Sequence, residues 1–212
     1  MVCSRIRGAH MARRQAPDTK QRILAVASRL FGRHGVRSVG MQRLVDETGL
    51  GKSLVYREFS SKDYLVAEWL RETDEAWGEY ADAATRPHEG DPARQMLALV
   101  EFIHDSVLAD DFYGCVFYNT IAEFRDEDHP GRLAAVAHLE RVRALLASYG
   151  REAGAEDPEG LADTLLLIIG GLLVNGTAFA GKGPAEHAVP TAAAIIRQAC
   201  PATAGAAAAA RG

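Results

Sequence analysis

From Thr19 to about Ala199 the apolar residues of this chain recur three and four positions apart and rarely alternate, which is the spacing of helices and not of strands. The stretch from Thr19 to His34 shows it most plainly. Ile23, Leu24, Ala27, Leu30 and Phe31 fall on one stripe, and Gly35 follows where a helix-terminating glycine belongs. Ala, Leu, Arg and Glu dominate, and alternating β-branched runs are few. The chain has 212 residues, 48% of them apolar and 25% charged, enough to bury a sizeable core. These features predict an all-α fold and exclude a wholly disordered chain, a collagen-like chain and a disulfide-stapled miniprotein.

Glycine and proline punctuate the helical pattern. After the first helix the spacing predicts two short ones, at about Met41–Thr48 and Lys52–Phe59, with Gly49 between them. A long helix follows at about Lys62–Ala83, preceded by Ser60 and Asp63 in the spacing of a capping box. Further helices are expected at about 92–109, 112–126, 131–153, 159–180 and 185–199, with Pro92, Pro130, Pro158 and Pro184 near their starts. Residues 1–17 and 201–212 lack such a pattern and are expected to be a disordered basic arm and a disordered tail, with Met11 an alternative start to Met1. Between them lie an expected N-terminal domain at 18–64 and a larger helical bundle at 65–200.

The net charge of −4 is unevenly spread. Residues 1–64 carry 13 basic and 5 acidic side chains, a balance of +8, and the remainder carries −12. A basic head on an acidic body points to an anionic partner for the head alone. Cys3, Cys115 and Cys200 are too scattered for a disulfide framework or a paired-cysteine metal site, which suits a reducing cytoplasm.

The two short helices and their glycine turn have the spacing of a helix-turn-helix. Val45, Gly49 and Val55 stand where that motif needs a close approach, a turn and an apolar seat, and Leu44, Leu50 and Phe59 supply its buried contacts. The flanks sharpen the pattern. Ile23-Leu24-Ala25-Val26-Ala27, Leu30-Phe31 and His34-Gly35 lead in, and Leu54-Val55-Tyr56-Arg57-Glu58-Phe59 with Ser61-Lys62-Asp63-Tyr64-Leu65 closes it. From about Thr19 to Val66 this strongly resembles the TetR family of bacterial transcriptional regulators.

The resemblance implies a cytoplasmic homodimer that places the second short helix of each protomer in the major groove of a palindromic double-stranded operator. It implies a repressor released by a small apolar or amphipathic effector, unidentified here, bound in the C-terminal bundle. Carried over by position, Gln42, Arg43, Lys52, Ser53, Leu54, Tyr56, Arg57 and Lys62 are the candidate DNA contacts, with Tyr56 and Lys62 meeting phosphates. The plain alternatives are solvated side chains at Arg43, Arg57 and Lys62 and a core tyrosine at Tyr56. Gly40 and Gly51 replace the family's usual Ser or Thr caps, and Leu54 replaces a common Thr. Those departures leave open a second reading, a helical small-molecule-binding protein whose head does not read DNA.

In the body, residues 112–124 are dense in aromatics. Trp69, Trp77, Phe102, Cys115, Tyr118, Asn119, His138 and Asn175 are the candidate effector contacts, against the plainer reading of core side chains. Cys115 has apolar neighbours, which favours a buried inert thiol over a redox sensor. Leu165–Val174 is the most apolar segment, but Thr164, Asn175 and Thr177 interrupt it, so a buried or dimer-forming helix is expected and no membrane span. Neither a GxSxG, Walker A, GxGxxG or HExxH motif nor metal-ligand histidine spacing occurs, so no enzyme activity, cofactor or metal is expected.

Overall fold

The structure, a computed structural model, describes residues 19–200. The expectations for the N-terminal arm, the start codon, Cys3 and the C-terminal tail lie outside the described residues. Within them the chain is helical, with no strand. The α-helices are α1 (Thr19–His34), α2 (Met41–Thr48), α3 (Lys52–Glu58), α4 (Lys62–Thr85), α5 (Pro92–Val107), α6 (Val116–Glu123), α7 (Pro130–Glu152), α8 (Pro158–Ala178) and α9 (Ala188–Ala199). Single 3-10 turns occupy Arg86–His88 and Gly183–His187.

Three boundaries differ from the sequence expectation, each for a local reason. The aromatic stretch at 112–126 forms a shorter helix, because Gly114 has φ +96° and Cys115 and Phe124 are extended. The last helix starts at Ala188, after a 3-10 turn that begins at Gly183, which has φ +63°. The cap of α4 is Ser61 and not Ser60: the Ser61 hydroxyl accepts from the Tyr64 amide at 3.1 Å. That bond satisfies one of the unpaired N–H groups of the first turn.

The chain forms two compact units. One comprises residues up to Ala76 with Tyr113–His138, and the other Trp77–Phe112 with Leu139 onward. The first unit therefore extends beyond the expected boundary at residue 64 and recruits α6 from the middle of the chain. Its core shows why. Ile23, Leu24, Leu30 and Phe31 of α1, Leu44 and Val55 of the short helices, and Phe59, Leu65, Trp69 and Leu70 share one apolar cluster with Val116, Phe117 and Ala135. At roughly 1.5–3 kcal/mol for each large side chain removed from water, this burial is what holds the short helices in place, since neither is long enough to be stable alone.

In the second unit α5, α8 and α9 pack on one another. Met96, Leu99, Val100 and Ile103 of α5 face inward, as do Leu161, Leu165, Ile169 and Leu172 of α8. Gly176 permits the approach of α5: a Cβ there would lie 2.0 Å from Val107 Cγ1. By length and hydropathy α8 would suffice to cross a membrane, but the inward half of its surface is the core of this unit.

Candidate nucleic-acid interface

The α2–turn–α3 unit is built on backbone geometry that the sequence signals directly. Gly49 ends α2 in the left-handed region, at φ +64°, where a side chain would be strained. Thr48 supports the same turn from within: its hydroxyl donates to the Val45 carbonyl at 2.9 Å and accepts from the Leu50 amide at 3.3 Å. Arg22 of α1 donates to the Thr48 carbonyl at 3.3 Å. Both short helices begin at glycines, Gly40 and Gly51, which provide no side-chain cap.

The buried face of this unit is Leu44, Val45, Val55 and Phe59, and the opposite face carries the candidate DNA contacts. Gln42, Arg43, Lys52, Ser53, Tyr56 and Arg57 are all exposed, with Tyr56 at 40%. Leu54 is half-buried, so only part of its side chain could reach a base. The polar groups are held by short-range contacts only. Gln42 donates to Asp46 at 2.8 Å, Arg43 lies 3.1 Å from the His34 ring nitrogen, and Arg57 pairs with Glu58 at 3.2 Å. The Lys52 ammonium sits 5.8 Å from the centre of the Tyr56 ring. Contacts of this exposed kind are weak, so a phosphate could displace them at little cost.

Lys62, at the start of α4, is half-buried and donates to the Arg37 carbonyl at 3.5 Å. Burial lowers its pKa, and the neighbouring carboxylates of Glu123 and Asp63 oppose that shift. Sequence reasoning missed Glu123, Thr48 and Arg22. Thr48 carried a signal, a hydroxyl one residue before the turn glycine, but the partners of Glu123 and Arg22 are set by tertiary folding.

The candidate effector contacts fall in both units. In the first, Trp69 is buried with its ring edge-on to Phe31, and its Nε1–H has no hydrogen-bond partner among the described residues. His138 is buried, stacked 3.6 Å from the Phe117 ring centre, with Nδ1 2.5 Å from Asp74. Burial pushes the Cys115 thiol up, which disfavours the reactive thiolate, and does the same to the Tyr118 hydroxyl. Asn119 is exposed and donates to the Tyr113 carbonyl at 3.4 Å. In the second unit Phe102 stacks on Tyr80 with 6.2 Å between ring centres, and Trp77 is buried. Asn175 is turned back on its own helix, donating to the Gly171 carbonyl at 2.8 Å. No group of three or more potential metal ligands occurs among the described residues.

Residues 23–69 match the profile of bacterial regulatory proteins of the tetR family. An HTH-type transcriptional regulator of Staphylococcus aureus, SAUSA300_2515, is 38% identical over 53 residues, 25% of this chain and 29% of that protein. The chain thus spans less than a third of the length of the curated relatives it matches. Likeness to solved structures runs further. SCO4454, a TetR-family transcriptional regulator from Streptomyces coelicolor, is 27% identical with a TM-score of 0.79, over 84% of this chain and 94% of that one. A proposed TetR regulator from Streptomyces avermitilis is 28% identical with a TM-score of 0.78, over 86% and 98%. The sequence match to the tetR family thus coincides with the helix-turn-helix, and the fold around it is similar to that of TetR-family regulators over most of the chain.

Proposed function

We propose that the protein is a ligand-responsive, DNA-binding transcriptional regulator that represses by occupying a palindromic operator. The observation that carries this reading is the two-sided α2–α3 unit: an apolar face sealed in the core, and an opposite face of exposed Gln42, Arg43, Lys52, Ser53, Tyr56 and Arg57. Such a face suits the major groove, where phosphate contacts set position and base contacts set sequence. The relatives and structural neighbours are regulators and not enzymes, and the proposal includes no reaction. Its setting is the cytoplasm.

The proposed assembly is a homodimer, because two recognition helices are needed to read a palindrome. The exposed apolar side of α8, with Leu167 at 76% and Val174 at 62%, supports a second copy as its cover. The proposed effector is small and apolar or amphipathic. The unsatisfied Trp69 Nε1–H supports a ligand that brings a hydrogen-bond acceptor, since a buried donor without a partner costs about 1–3 kcal/mol. Release then requires that the effector bind the DNA-free state more tightly than the DNA-bound one. The long helix α4 contributes residues to both compact units and is the proposed route between them.

Selection of duplexes from a random pool by the purified protein tests the reading. Enrichment of a palindrome, with affinity falling steeply as salt rises, is the expected result. No enrichment at low salt by a folded dimer would overturn it and leave a helical small-molecule-binding protein that does not read DNA.

A further inference from the structure

The turn between α1 and α2 is held by a residue far away in sequence. One carboxylate oxygen of Glu123, the last residue of α6, accepts from the Val36 amide at 3.0 Å, and the other accepts from the Arg37 amide at 2.5 Å. Gly35 makes room for this: it has φ +78°, and a Cβ there would lie 2.9 Å from the Glu123 Oε1. Two successive main-chain N–H groups facing one carboxylate form an anion-binding concavity filled from within the chain. The residue at its centre is held on three sides. The Arg37 amide goes to Glu123, its carbonyl receives Lys62, and its guanidinium lies 5.6 Å from the centre of the Phe124 ring.

The end of α6 that supplies Glu123 is itself fixed. Arg132 of α7 donates to the carbonyls of Ile121 and Phe124 at 3.1 and 3.2 Å, closing the helix terminus. The His129 ring stacks on Phe124 with 3.7 Å between ring centres. The 35–37 turn is thus tied to the end of α6 by two hydrogen bonds. That turn leads directly into Gly40 and the first residues of α2, and Arg37 also docks Lys62.

We propose that Glu123 is a positioning residue for DNA binding: by holding the Val36 and Arg37 amides it sets the α1–α2 turn, and through it α2 and Lys62, in the DNA-reading arrangement. The inference rests on the DNA-reading proposal above. Glu123 acts through the turn and needs no contact of its own with DNA.

The sign of the effect separates positioning from simple charge. Removing an acid from a head that binds a polyanion should tighten binding if charge alone matters. Positioning demands the reverse. Glu123→Gln keeps the size of the side chain but retains one acceptor oxygen for two amides. Glu127→Gln removes the same charge from an exposed site nearby and is the control. The probe is the duplex enriched by the wild-type protein, with affinity expressed per folded dimer. The expected result is affinity roughly tenfold weaker for E123Q, within the usual range of coupling between sites. The enriched sequence should be unchanged, and E127Q should bind equally or more tightly. Equal or tighter binding by E123Q would overturn the proposal while leaving DNA reading intact. No binding by the wild type would overturn DNA reading itself. A measurement that needs no variant is amide hydrogen exchange of the wild type, where Val36 and Arg37 should be protected. Fast exchange at both would also overturn the proposal.

Discussion

The carboxylate of Glu68 in α4 is bonded to the ammonium of Lys20 in the first turn of α1. Arg71 reaches the same carboxylate from one turn further along α4, at 2.7 Å. Hydrogen bonding from Arg71, with Lys20 behind it, holds the Glu68 carboxyl at about 2 against the opposing effect of burial. A carboxyl whose pKa is depressed by folding contributes stability above its unfolded value, near 4.5, and loses it as the pH falls toward 2. Lys20 and Arg71 are partly in solvent, so the contribution is on the order of 2 kcal/mol. Denaturant unfolding at pH 7, 4 and 3 should show Glu68→Gln less stable than wild type at pH 7, with the gap narrowing from pH 4 to pH 3. A gap that stays constant with pH would show that Glu68 is not the titrating tie.

Substitutions at Tyr56 and Lys62 should weaken DNA binding in different ways. Tyr56→Phe removes only a hydroxyl from an exposed ring, and a lost phosphate hydrogen bond of about 1 kcal/mol should cost several-fold in affinity on every sequence alike. Lys62→Ala removes a cation, so the slope of log affinity against log salt should become shallower by about one. Anisotropy titrations at four salt concentrations would measure both. An unchanged slope for Lys62→Ala would mean that Lys62 serves Arg37 alone.

Close packing of α5 on α8 makes Gly176 sensitive to a single methyl group. An alanine Cβ there would lie 2.0 Å from Val107 Cγ1, too close to accommodate without a shift. Overpacking of this kind costs about 1–3 kcal/mol, which outweighs the gain of about 1 kcal/mol in helix propensity from replacing glycine. Gly176→Ala should therefore lower the midpoint of thermal unfolding. Adding Val107→Ala should recover less than the full loss, because it leaves a cavity of its own. Additive losses in the double variant would show that the two side chains do not meet.

The helix-turn-helix unit was legible in the sequence because its determinants are local. Gly35 and Gly49 mark left-handed turns, and the stripe from Ile23 to Phe31 marks the helix that carries them. The joint at Glu123 was not legible, because its partners lie 86 and 87 residues away and nothing in an aromatic-rich stretch distinguishes one acidic residue as a latch. Ser60 and Ser61 are adjacent hydroxyls, and the backbone chose the one that faces the Tyr64 amide. Residue type marks effector candidates but not their partners. Periodicity groups residues on a helix face but does not say which compact unit each half of α4 or α7 joins. Trp69 and His138 thus fall in one unit, while Trp77 falls in the other.

The outward face of α8 provides the test of assembly. Asp163, Leu167, Gly171, Val174 and Ala178 recur at three- and four-residue spacing and are all exposed, and nothing lies within 4 Å of a Cβ placed on Gly171. In an isolated protomer this face is ordinary surface. Leu167→Glu should then change stability by no more than about 0.5 kcal/mol, and Gly171→Ala should stabilise the helix by about 1 kcal/mol. In a homodimer closed across α8 the same changes act oppositely: the glutamate buries an unpaired charge, and the alanine obstructs a close helix approach. We expect Leu167→Glu to sediment as a folded monomer with wild-type helicity. It should lose high-affinity binding to a palindromic duplex and keep only weak, salt-sensitive binding. A dimer that survives both substitutions would place the two-fold contact elsewhere on the chain.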